Sequence, residues 1–483
     1  MNHCFFLFIA LVATFSLAND QWSQLQGDSL RSGNAPDAML PSHLGLIGTV
    51  PLSDGIYTAP AIADGVVYVV DGSGVVSAID ANILSVKWQF RSRGGAGNCN
   101  NVSSPAVVGP YLHFGTMAGY YYVLDRATGN VVTEIDCRDA IFSSPAVGDG
   151  RVYFATLGAQ LYSVEPNGTV VWKWDFVKEV VGFDGDRWSG EDWLKTRKER
   201  VTWRDHFVCS RDISLIGKTI VMPAGGRTIF IDDQGTSPKL RVVGQIPAYD
   251  GEEYPATFGQ SADAKGNVYV QWHRRDNAGR VEKLRLDGDS VKTDFVGGTQ
   301  TAIHLPGLLG FASVSIRGDD VYRVKPEQGL GLCRHRVGNE QPEVLCTAPA
   351  ISPPLITREH VLYGGLDGKL RVISLNGGEP AEYETAFGSP ISAPLAIANQ
   401  RVYVASEDGY LYVFGEDGNA PLPTKDLRVR DIRSPLTNAL ADSKYDWAKP
   451  SMTSATLKKT ATGSAKNSSY SKLPKTGSTL WYT

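Results

Sequence analysis

The sequence predicts an all-β protein, and three observations lead to that fold class. The five residues SSPAV occur at 103–107 and again at 143–147, and the flanking sequence repeats with them. The chain holds 51 glycines and 26 prolines, and 10% of its residues are aromatic. This composition suits many short strands joined by tight turns better than long helices. The repeated unit is therefore expected to be a supersecondary element made of strands.

Each copy of the repeat has the same order of parts. An apolar strand opened by Ser-Pro is followed by a strand such as RVYFAT, a glycine turn, an aromatic strand ending in an acid, and a last strand. Four strands with period-2 alternation form one antiparallel sheet, which is a propeller blade. Five copies are clear in the sequence, and three weaker copies begin at Cys209, Gly259 and Gly310. The prediction is an eight-bladed β-propeller of four-stranded antiparallel blades.

The two ends of the repeat region predict how the ring closes. The eighth copy stops at its third strand, LYVFGEDG, whereas Leu44 to Leu52 form an unassigned strand ahead of the first copy. An open seam between the first and last blades would expose apolar blade faces to water. We therefore expect this N-terminal strand to complete the last blade.

The rest of the chain divides by composition. An apolar run from Phe5 to Leu17 is too short to span a bilayer and ends in a small-x-small cleavage pattern, which predicts a secretory signal peptide. The segment after Ala448 holds no acidic residue and is rich in Ser, Thr and Lys, so we expect it to be disordered. The predicted regions are the signal peptide at 1–18, a lead-in at 19–43, the propeller at 44–420 with an insertion at 177–207, a linker at 421–447 and the tail at 448–483.

These features also bound the partners and the compartment. A net charge of −4 gives no broad basic field, so nucleic acid is not an expected partner. The signal peptide predicts a periplasmic or secreted protein without a transmembrane segment in the mature chain. We expect a monomer that binds a protein or peptide partner.

Short motifs give the chain a family resemblance. Residues 78–88, from Ala78-Ile79-Asp80 to Trp88, and residues 123–129, VLDRATG, resemble the blade-docking motif A-x-D-x-x-T-G-K-x-x-W, and Trp172 ends a shortened version. The stretch from Trp22 to Gly33 fits W-x-x-x-x-G-D-x-x-R-x-G. Over roughly residues 21 to 420 the chain therefore resembles the PQQ-like (quinoprotein and BamB-like) repeat β-propellers. That resemblance is specific for fold, because the same repeats occur in PQQ dehydrogenases and in non-catalytic assembly factors.

The resemblance leaves two functions open. A PQQ dehydrogenase is expected to carry adjacent cysteines, a stacking tryptophan, and Glu, Asn and Asp ligands for calcium, whereas this chain has neither adjacent cysteines nor a C-x-x-C-H haem motif. The leading hypothesis is a non-catalytic extracytoplasmic scaffold without a cofactor, on the BamB pattern. The alternative is an oxidoreductase dependent on PQQ and calcium.

Two polar stretches could build a ligand site. His206, Arg211 and Asp212 lie near or on the innermost strand of blade 4, where an Arg-Asp pair facing the central channel could bind an anion or form a buried ion pair. Trp272, His273 and Arg274 follow the second strand of blade 5, where they form either a second binding region or a solvated turn.

The insertion and two cysteines complete the candidates. Trp188, Trp193 and Trp203 suit a partner surface or pin the insertion to the propeller, and a capping-box spacing predicts a short helix near 190–199. Cys333 and Cys346 flank the sequence RHRVGNEQPEVL, whose expected hairpin register places them directly opposite each other. A cross-strand disulfide is therefore predicted.

Overall fold

The computed structural model describes residues 21–95, 98, 100–188, 206–244, 256–273, 279–299, 313–324, 331–336 and 342–427. Within these ranges the fold is all-β: strands form eight four-stranded antiparallel sheets. Each sheet is one blade, and the innermost strands of neighbouring blades adjoin one another around a central axis. The predicted eight-bladed propeller is confirmed.

The strands of the first four blades follow the chain from the inside of the ring to its rim. Their bounds are β2 Ala61–Ala63, β3 Val66–Val70, β4 Val75–Asp80 and β5 Val86–Arg91 in blade 1; β6 Ala106–Val108, β7 Tyr111–Gly115, β8 Tyr120–Asp125 and β9 Val131–Asp136 in blade 2; β10 Ala146–Gly148, β11 Arg151–Ala155, β12 Gln160–Val164 and β13 Val170–Asp175 in blade 3; and β14 Ser214–Ile216, β15 Thr219–Ala224, β16 Arg227–Asp233 and β17 Pro238–Gly244 in blade 4.

Blades 5 to 8 repeat this order, except that the outer strand of blade 8 comes from the N-terminal side. Their bounds are β18 Ala256–Ala262, β19 Asn267–His273, β20 Gly279–Asp287 and β21 Ser290–Thr299 in blade 5; β22 Ser315–Arg317, β23 Asp320–Val324, β24 Leu332–Arg336 and β25 Glu343–Cys346 in blade 6; β26 Leu355–Ile356, β27 His360–Gly364, β28 Lys369–Ser374 and β29 Ala381–Glu384 in blade 7; and β30 Ala396–Ala398, β31 Arg401–Ala405, β32 Tyr410–Glu416 and β1 Leu44–Pro51 in blade 8. The described helical turns are a 3₁₀ turn at Leu25–Gly27 and a π-helical turn at Val177–Val181.

The burial of the strands follows their place in a blade. Every residue of β2 is buried, whereas the outer strand β5 alternates between exposed and half-buried positions. The turn between β2 and β3 is Asp64-Gly65, and both residues have positive φ, 48° and 72°. Paired positive φ values are the geometry of a type I′ hairpin, whose twist matches that of the flanking strands. Sequence and turn chemistry thus fix each blade locally.

Neighbouring blades dock through the tryptophans of the repeat motif. The Trp88 Nε1 donates to the Arg126 carbonyl at 3.1 Å, and a Cβ on Gly129 would lie 2.6 Å from the Trp88 ring. Between blades 3 and 4 the Trp172 Nε1 donates to Asp233 Oδ1 at 3.1 Å. The motif therefore joins blade 1 to blade 2 and blade 3 to blade 4 at the glycine or acidic turn of the next blade.

The N-terminal strand closes the ring as predicted. Strand β1 pairs antiparallel with β32, from Leu44 opposite Glu416 to Pro51 opposite Tyr410. Beyond the strand, the Ala420 N–H donates to the Leu46 carbonyl at 2.8 Å. Blade 8 is thus built from both ends of the propeller region, which removes the seam.

The expected pairing of Cys333 with Cys346 is wrong. A β-bulge shifts the register of β24 and β25, so that Leu332 lies opposite Cys346 and Cys333 lies opposite Val344. Since side chains alternate between the faces of a strand, Cys346 shares a face with Leu332, and Cys333 points to the other face. The two cysteines are not joined by a disulfide, and Cys333 is buried.

Several predictions fall outside the described residues. These are the signal peptide at 1–18, the helix near 190–199, the residues Trp193, Trp203 and Arg274, most of the linker and the tail at 448–483. Within the described ranges, no helix has the length and apolarity needed to cross a bilayer.

Candidate functional site

The lead-in segment passes along the inside of the propeller. Residues 22–33 exchange hydrogen bonds of 2.7–3.1 Å with the innermost strands of blades 1 to 7 in turn. The protein groups contacted on those strands belong to Ile62, Val107, Val147, Leu215, Ala262, Ile316 and Ile356. Residues 22–33 therefore contact the inner strand of every blade from 1 to 7. The resemblance had indicated only that this segment is an N-terminal motif.

The letters of that motif have separate structural roles. Trp22 is buried and packs on Gly27, whose φ is 85° and whose Cβ would lie 2.8 Å from the indole ring. Asp28 Oδ1 accepts the Ser32 N–H at 3.0 Å, which closes the turn between them. Gly33, with a φ of 61°, passes so close to blade 6 that a Cβ would lie 2.3 Å from Ser315 Oγ. Glycine is required at both positions by conformation and by space.

Arg31 is the centre of the segment. Its side chain is fully buried, and its Nη2 donates to the carbonyls of Ser144 at 3.1 Å and Pro145 at 2.8 Å. The remaining donors reach the Ile213 carbonyl at 3.1 Å, the Leu25 carbonyl at 3.1 Å and the Gln24 amide oxygen at 3.4 Å. Burial lowers the pKa of the guanidinium, while the Asp212 and Asp28 carboxylates oppose that shift. The cation is held by backbone carbonyls from two blades and from its own segment.

Asp212 contributes to a chain of contacts between neighbouring blades, formed by residues that lie just before the inner strands in sequence. The Ala59 N–H donates to Ser104 Oγ at 2.9 Å, and the Ser104 N–H donates to Ser144 Oγ at 2.9 Å. The next link is the Ser144 N–H, which donates to Asp212 Oδ1 at 2.6 Å. Asp212 thus stands where the preceding blades carry serine, and its carboxylate binds blade 3 and lies near Arg31.

The other candidates for a channel ligand are placed differently. Arg211 is half-buried, and its Nη1 donates to the Ser210 carbonyl at 2.9 Å. His206 is buried, and its carbonyl accepts from Arg227 Nη1 at 3.1 Å. All three predicted residues, 206, 211 and 212, precede β14 rather than lying on it. Their binding of an anionic ligand stays a prediction.

The second polar stretch lies at the end of a strand. Trp272 and His273 are the last two residues of β19, where they pair with Thr257 and Ala256 of β18. Their place in the ladder is therefore inside blade 5 rather than in the turn that follows it. Ligand binding by this stretch stays a prediction.

The propeller has two unlike faces. The connection face carries the links from the outer strand of one blade to the inner strand of the next, together with the turns between second and third strands. The turn face carries the short turns between first and second and between third and fourth strands. The link from Asp175 to Ser214 is the longest between consecutive strands, and it contains the insertion. The connection face is thus where this chain departs most from a plain repeat.

The described base of the insertion is fixed to blades 3 and 4. Asp175 Oδ1 accepts the N–H groups of Val177 at 3.0 Å and Lys178 at 3.2 Å, which starts the π-helical turn. Trp188 contacts Phe207 edge-to-face, with ring centroids 5.3 Å apart, and packs against the core between the two blades. The pinning role expected as an alternative for Trp188 is therefore observed, and its role as a partner surface stays a prediction.

A charged cluster that the sequence did not indicate lies beneath this base. Arg187 forms a bidentate ion pair with Asp175 and donates to the Gly158 carbonyl. The Gly158 N–H donates to Asp139 Oδ2 at 2.7 Å. Burial raises the pKa of Asp139 to about 6, against the lowering effects of Thr156, the Gly158 N–H and the nearby Arg187 charge. The cluster joins residues from three separate connections, so no local motif announces it.

The described residues can be compared with the oxygen ligands that calcium prefers. Among them, no group of three or more His, Cys, Asp or Glu side chains could hold a metal ion. The inner strands hydrogen-bond to residues 22–33, and the Asp28 and Asp212 carboxylates of that region accept the N–H groups of Ser32 and Ser144. These are blade and segment contacts rather than an oxygen ligand set converging on the axis.

Fold and motifs together define the class of the protein: it is an eight-bladed β-propeller built from PQQ-like repeats. Residues 49–140 match the protein family described as outer membrane protein assembly factor BamB. A BamB of Legionella pneumophila (strain Paris) is 27% identical over 146 residues, which are 28% of this chain and 36% of that protein. The match therefore spans about a third of the curated relative.

Solved structures confirm the fold at low identity. BamB from Moraxella catarrhalis superposes with a TM-score of 0.53 and 15% identity, covering 79% of this chain and 100% of that chain. A quinohemoprotein alcohol dehydrogenase from Comamonas testosteroni superposes with a TM-score of 0.60 and 16% identity, covering 85% of this chain and 83% of that chain. Structures of both kinds share the architecture, so the fold does not choose between the two functions.

Proposed function

We propose that this protein is a non-catalytic, extracytoplasmic propeller scaffold that binds a protein or peptide partner through its connection face. The observation that carries the proposal is the occupation of the inner ring by residues 22–33 of the same chain. With that ring engaged by its own hydrogen bonds and the buried Arg31, a partner has to be recognised at a face of the propeller rather than along its axis.

The connection face is the better of the two faces for that role. Its longest link carries the insertion, whose first described part runs from the π-helical turn to Trp188. Tryptophan side chains often supply the binding energy of protein interfaces, and loops on a rigid scaffold commonly carry function. The contact of Trp188 with Phe207 and the capping by Asp175 give this part a rigid base.

The compartment and the kind of partner follow from the sequence and the family match. The apolar run at 5–17 predicts export, and the matched family is named for outer membrane protein assembly. A periplasmic scaffold that acts on or beside other proteins accounts for both features. The protein is proposed to act as a monomer, because β1 closes the propeller within one chain.

The alternative is a quinoprotein oxidoreductase, since a solved quinohemoprotein alcohol dehydrogenase shares the fold. PQQ and calcium would then need ligands beyond Ser104, Ser144 and Asp212, because these three residues make contacts between blades. Catalysis by this protein is therefore the outcome that would displace the scaffold proposal.

Site-specific photo-crosslinking tests the proposal. A photoreactive residue is placed at Glu179, which is exposed in the π-helical turn of the connection face, and at Lys218, which is exposed in the turn between β14 and β15 on the turn face. In the cells that make the protein, we expect a discrete heavier adduct from position 179 and none from position 218. Equal labelling from both positions, or none from either, contradicts the proposal. Dye reduction by the purified protein with PQQ and calcium would favour the oxidoreductase.

A further inference from the structure

The inner strands of the propeller start at the connection face, so the residues just ahead of them in sequence surround the axis at that face. At the position four residues before an inner strand, the side chain is half-exposed in blades 1, 2, 3, 7 and 8, whereas both of its sequence neighbours are buried. The residues at this position are Tyr57, Val102, Phe142, Ile351 and Ser392. We call these five residues the axial mouth, and all but Ser392 are aliphatic or aromatic.

The backbone of the axial mouth is fixed by neighbouring blades. In blades 1, 2, 3 and 8, the residue immediately ahead of the mouth residue donates its N–H to a carbonyl of the preceding blade, at 3.0–3.1 Å. Each of these carbonyls lies in the turn between the second and third strands. The donors are Ile56, Asn101, Ile141 and Ile391. A surface that is ordered before its partner arrives loses little conformational entropy on binding.

Residues of the same chain lie below the axial mouth. Two residues beyond Val102 and Phe142, the hydroxyls of Ser104 and Ser144 each accept an N–H of the preceding blade at 2.9 Å. The fully buried Arg31 donates to the Ser144 carbonyl at 3.1 Å. A partner can therefore place a side chain in the mouth while its backbone stays on the connection face.

Carboxyl groups flank the axial mouth on one side. Asp54 is exposed in the link to blade 1, and Glu407 is half-buried in the turn between β31 and β32. The two segments are in contact, since a Cβ on Gly55 would lie 2.9 Å from the Glu407 carbonyl oxygen. The Glu407 N–H donates to the Pro390 carbonyl at 3.2 Å, which brings its turn next to the link that carries Ser392. Blades 8 and 1 thus add negative charge beside the apolar side chains.

Blade 4 lies opposite blade 8 in the ring of eight and carries the opposite charge. Its residue three positions before the inner strand is Arg211, which is half-buried and donates to the Ser210 carbonyl at 2.9 Å. Blades 1, 2 and 3 bury Thr58, Ser103 and Ser143 at this position. Because unlike charges attract, a basic side chain of a partner is favoured on the side of blades 8 and 1 and disfavoured near blade 4.

We propose that the axial mouth binds one apolar or aromatic side chain of the partner, presented on an extended segment that carries a basic side chain beside it. Aromatic anchors that fill a central pocket often supply most of the binding energy of an interface. Phe142 and Trp188 both pack against the core cluster between blades 3 and 4, so the mouth continues into the insertion base. The inference deepens the proposed function and rests on it, because it names the part of the connection face that the partner enters.

Ligand-observed NMR with the purified protein tests the inference, because this method detects weak binding. The probes are synthetic peptides of Gly and Ser that carry Phe-Lys, Ser-Lys or Phe-Glu at their centre. We expect the Phe-Lys peptide to bind most tightly. Loss of the aromatic side chain should weaken binding about 10-fold or more. Replacement of Lys by Glu should weaken it about fivefold, with a larger difference at low ionic strength.

Variants of the protein locate the site. Val102→Ser and Ile351→Ser should each weaken binding of the Phe-Lys peptide about threefold or more, because each removes apolar contact area. Val86→Ser is the matched control, since Val86 is 42% exposed on the outer strand of blade 1, and it should leave binding unchanged. Asp54→Asn should reduce the preference for Phe-Lys over Phe-Glu, whereas Asp64→Asn on the turn face should retain it.

Equal binding of the peptides, or binding of none, overturns the inference, and this comparison decides the question even where a variant does not fold. Binding that survives unchanged in both Val102→Ser and Ile351→Ser overturns it as well. If the mouth instead takes up a second copy of this chain, sedimentation velocity will show a dimer and the peptides will not bind.

The two proposals fail in different ways. A discrete adduct from position 179 without selective peptide binding leaves the scaffold proposal in place and removes the mouth as its anchor site. Selective peptide binding without that adduct would instead retain the chemistry of the mouth and contradict the partner surface at the insertion.

Discussion

Replacing Arg31 by methionine tests the channel segment most directly. Methionine is of similar length and remains apolar, but it removes five hydrogen-bond donations that the guanidinium makes inside the ring. The acceptors left behind are four backbone carbonyls and the Gln24 amide oxygen. Asp212 and Asp28 also lose the cation that lies near them.

The expected loss can be bounded from these contacts. Each buried carbonyl left without a donor costs about 1 kcal/mol or more. Removing one partner of a buried charged group commonly costs about 3–5 kcal/mol in total, while the variant no longer has to desolvate a guanidinium. We therefore expect Arg31→Met to lower the free energy of unfolding by about 3–5 kcal/mol.

Urea unfolding followed by tryptophan fluorescence measures this loss. Arg31→Lys keeps a charge but not the planar donor set, so its loss should be intermediate. Arg93→Met is the matched control, because the Arg93 side chain is 72% exposed and should change stability by about 0.5 kcal/mol or less. If Arg31→Met unfolds within about 0.5 kcal/mol of the wild type, the segment does not stabilise the ring as argued.

Three further predictions also concern stability, measured by urea unfolding except where a melting curve is named. Gly33→Ala should lower the free energy of unfolding more than Gly65→Ala. Both glycines have positive φ, but only a Cβ at position 33 would meet another side chain, 2.3 Å from Ser315 Oγ. Equal losses of stability would refute the close contact. Deleting Leu44–Leu52 should lower the melting temperature sharply and cause aggregation, since it removes the outer strand of blade 8; an unchanged melting curve would refute closure by this strand. Burial lowers the pKa of His113 from 6.5 to about 4. Burying the neutral ring therefore costs no stability above pH 6.5, and the free energy of unfolding falls by up to about 3 kcal/mol as the pH drops towards 4. His113→Gln should lose that pH dependence, and a profile unchanged from wild type would refute the assignment.

The blades could be predicted because each repeat contains the residues that determine one blade. Alternating strands, a two-residue turn such as Asp64-Gly65 and a docking residue such as Trp88 all lie within one unit of sequence. Ring closure could be predicted from the missing fourth strand of the last copy. The register of Cys333 and Cys346 could not, because one bulge residue moves a whole strand by one position and leaves no clear mark in the sequence.

The contacts inside the ring and at the insertion could not be derived from spacing. The motif from Trp22 to Gly33 was visible, but its path along seven inner strands depends on carbonyls that every sequence possesses. Asp139 and Arg187 come together only after blade 3 has folded and the insertion has turned back over Gly158. The lone arginine inside a glycine-flanked motif was the one signal that could have suggested a buried anchor at Arg31.

The difference between the two faces decides where specificity can arise. On the turn face, pairs such as Asp64-Gly65 and Asp149-Gly150 both have positive φ, a geometry that strand twist imposes and that few residues adopt. Along the axis, residues 22–33 satisfy the inner strands through backbone carbonyls and the side chains of Gln24 and Arg31. Solved structures at 15% and 16% identity share the architecture, so the fold constrains most positions only loosely. The link between blades 3 and 4 on the connection face is where this chain departs most from its own repeat, which is why the proposed partner surface is placed there.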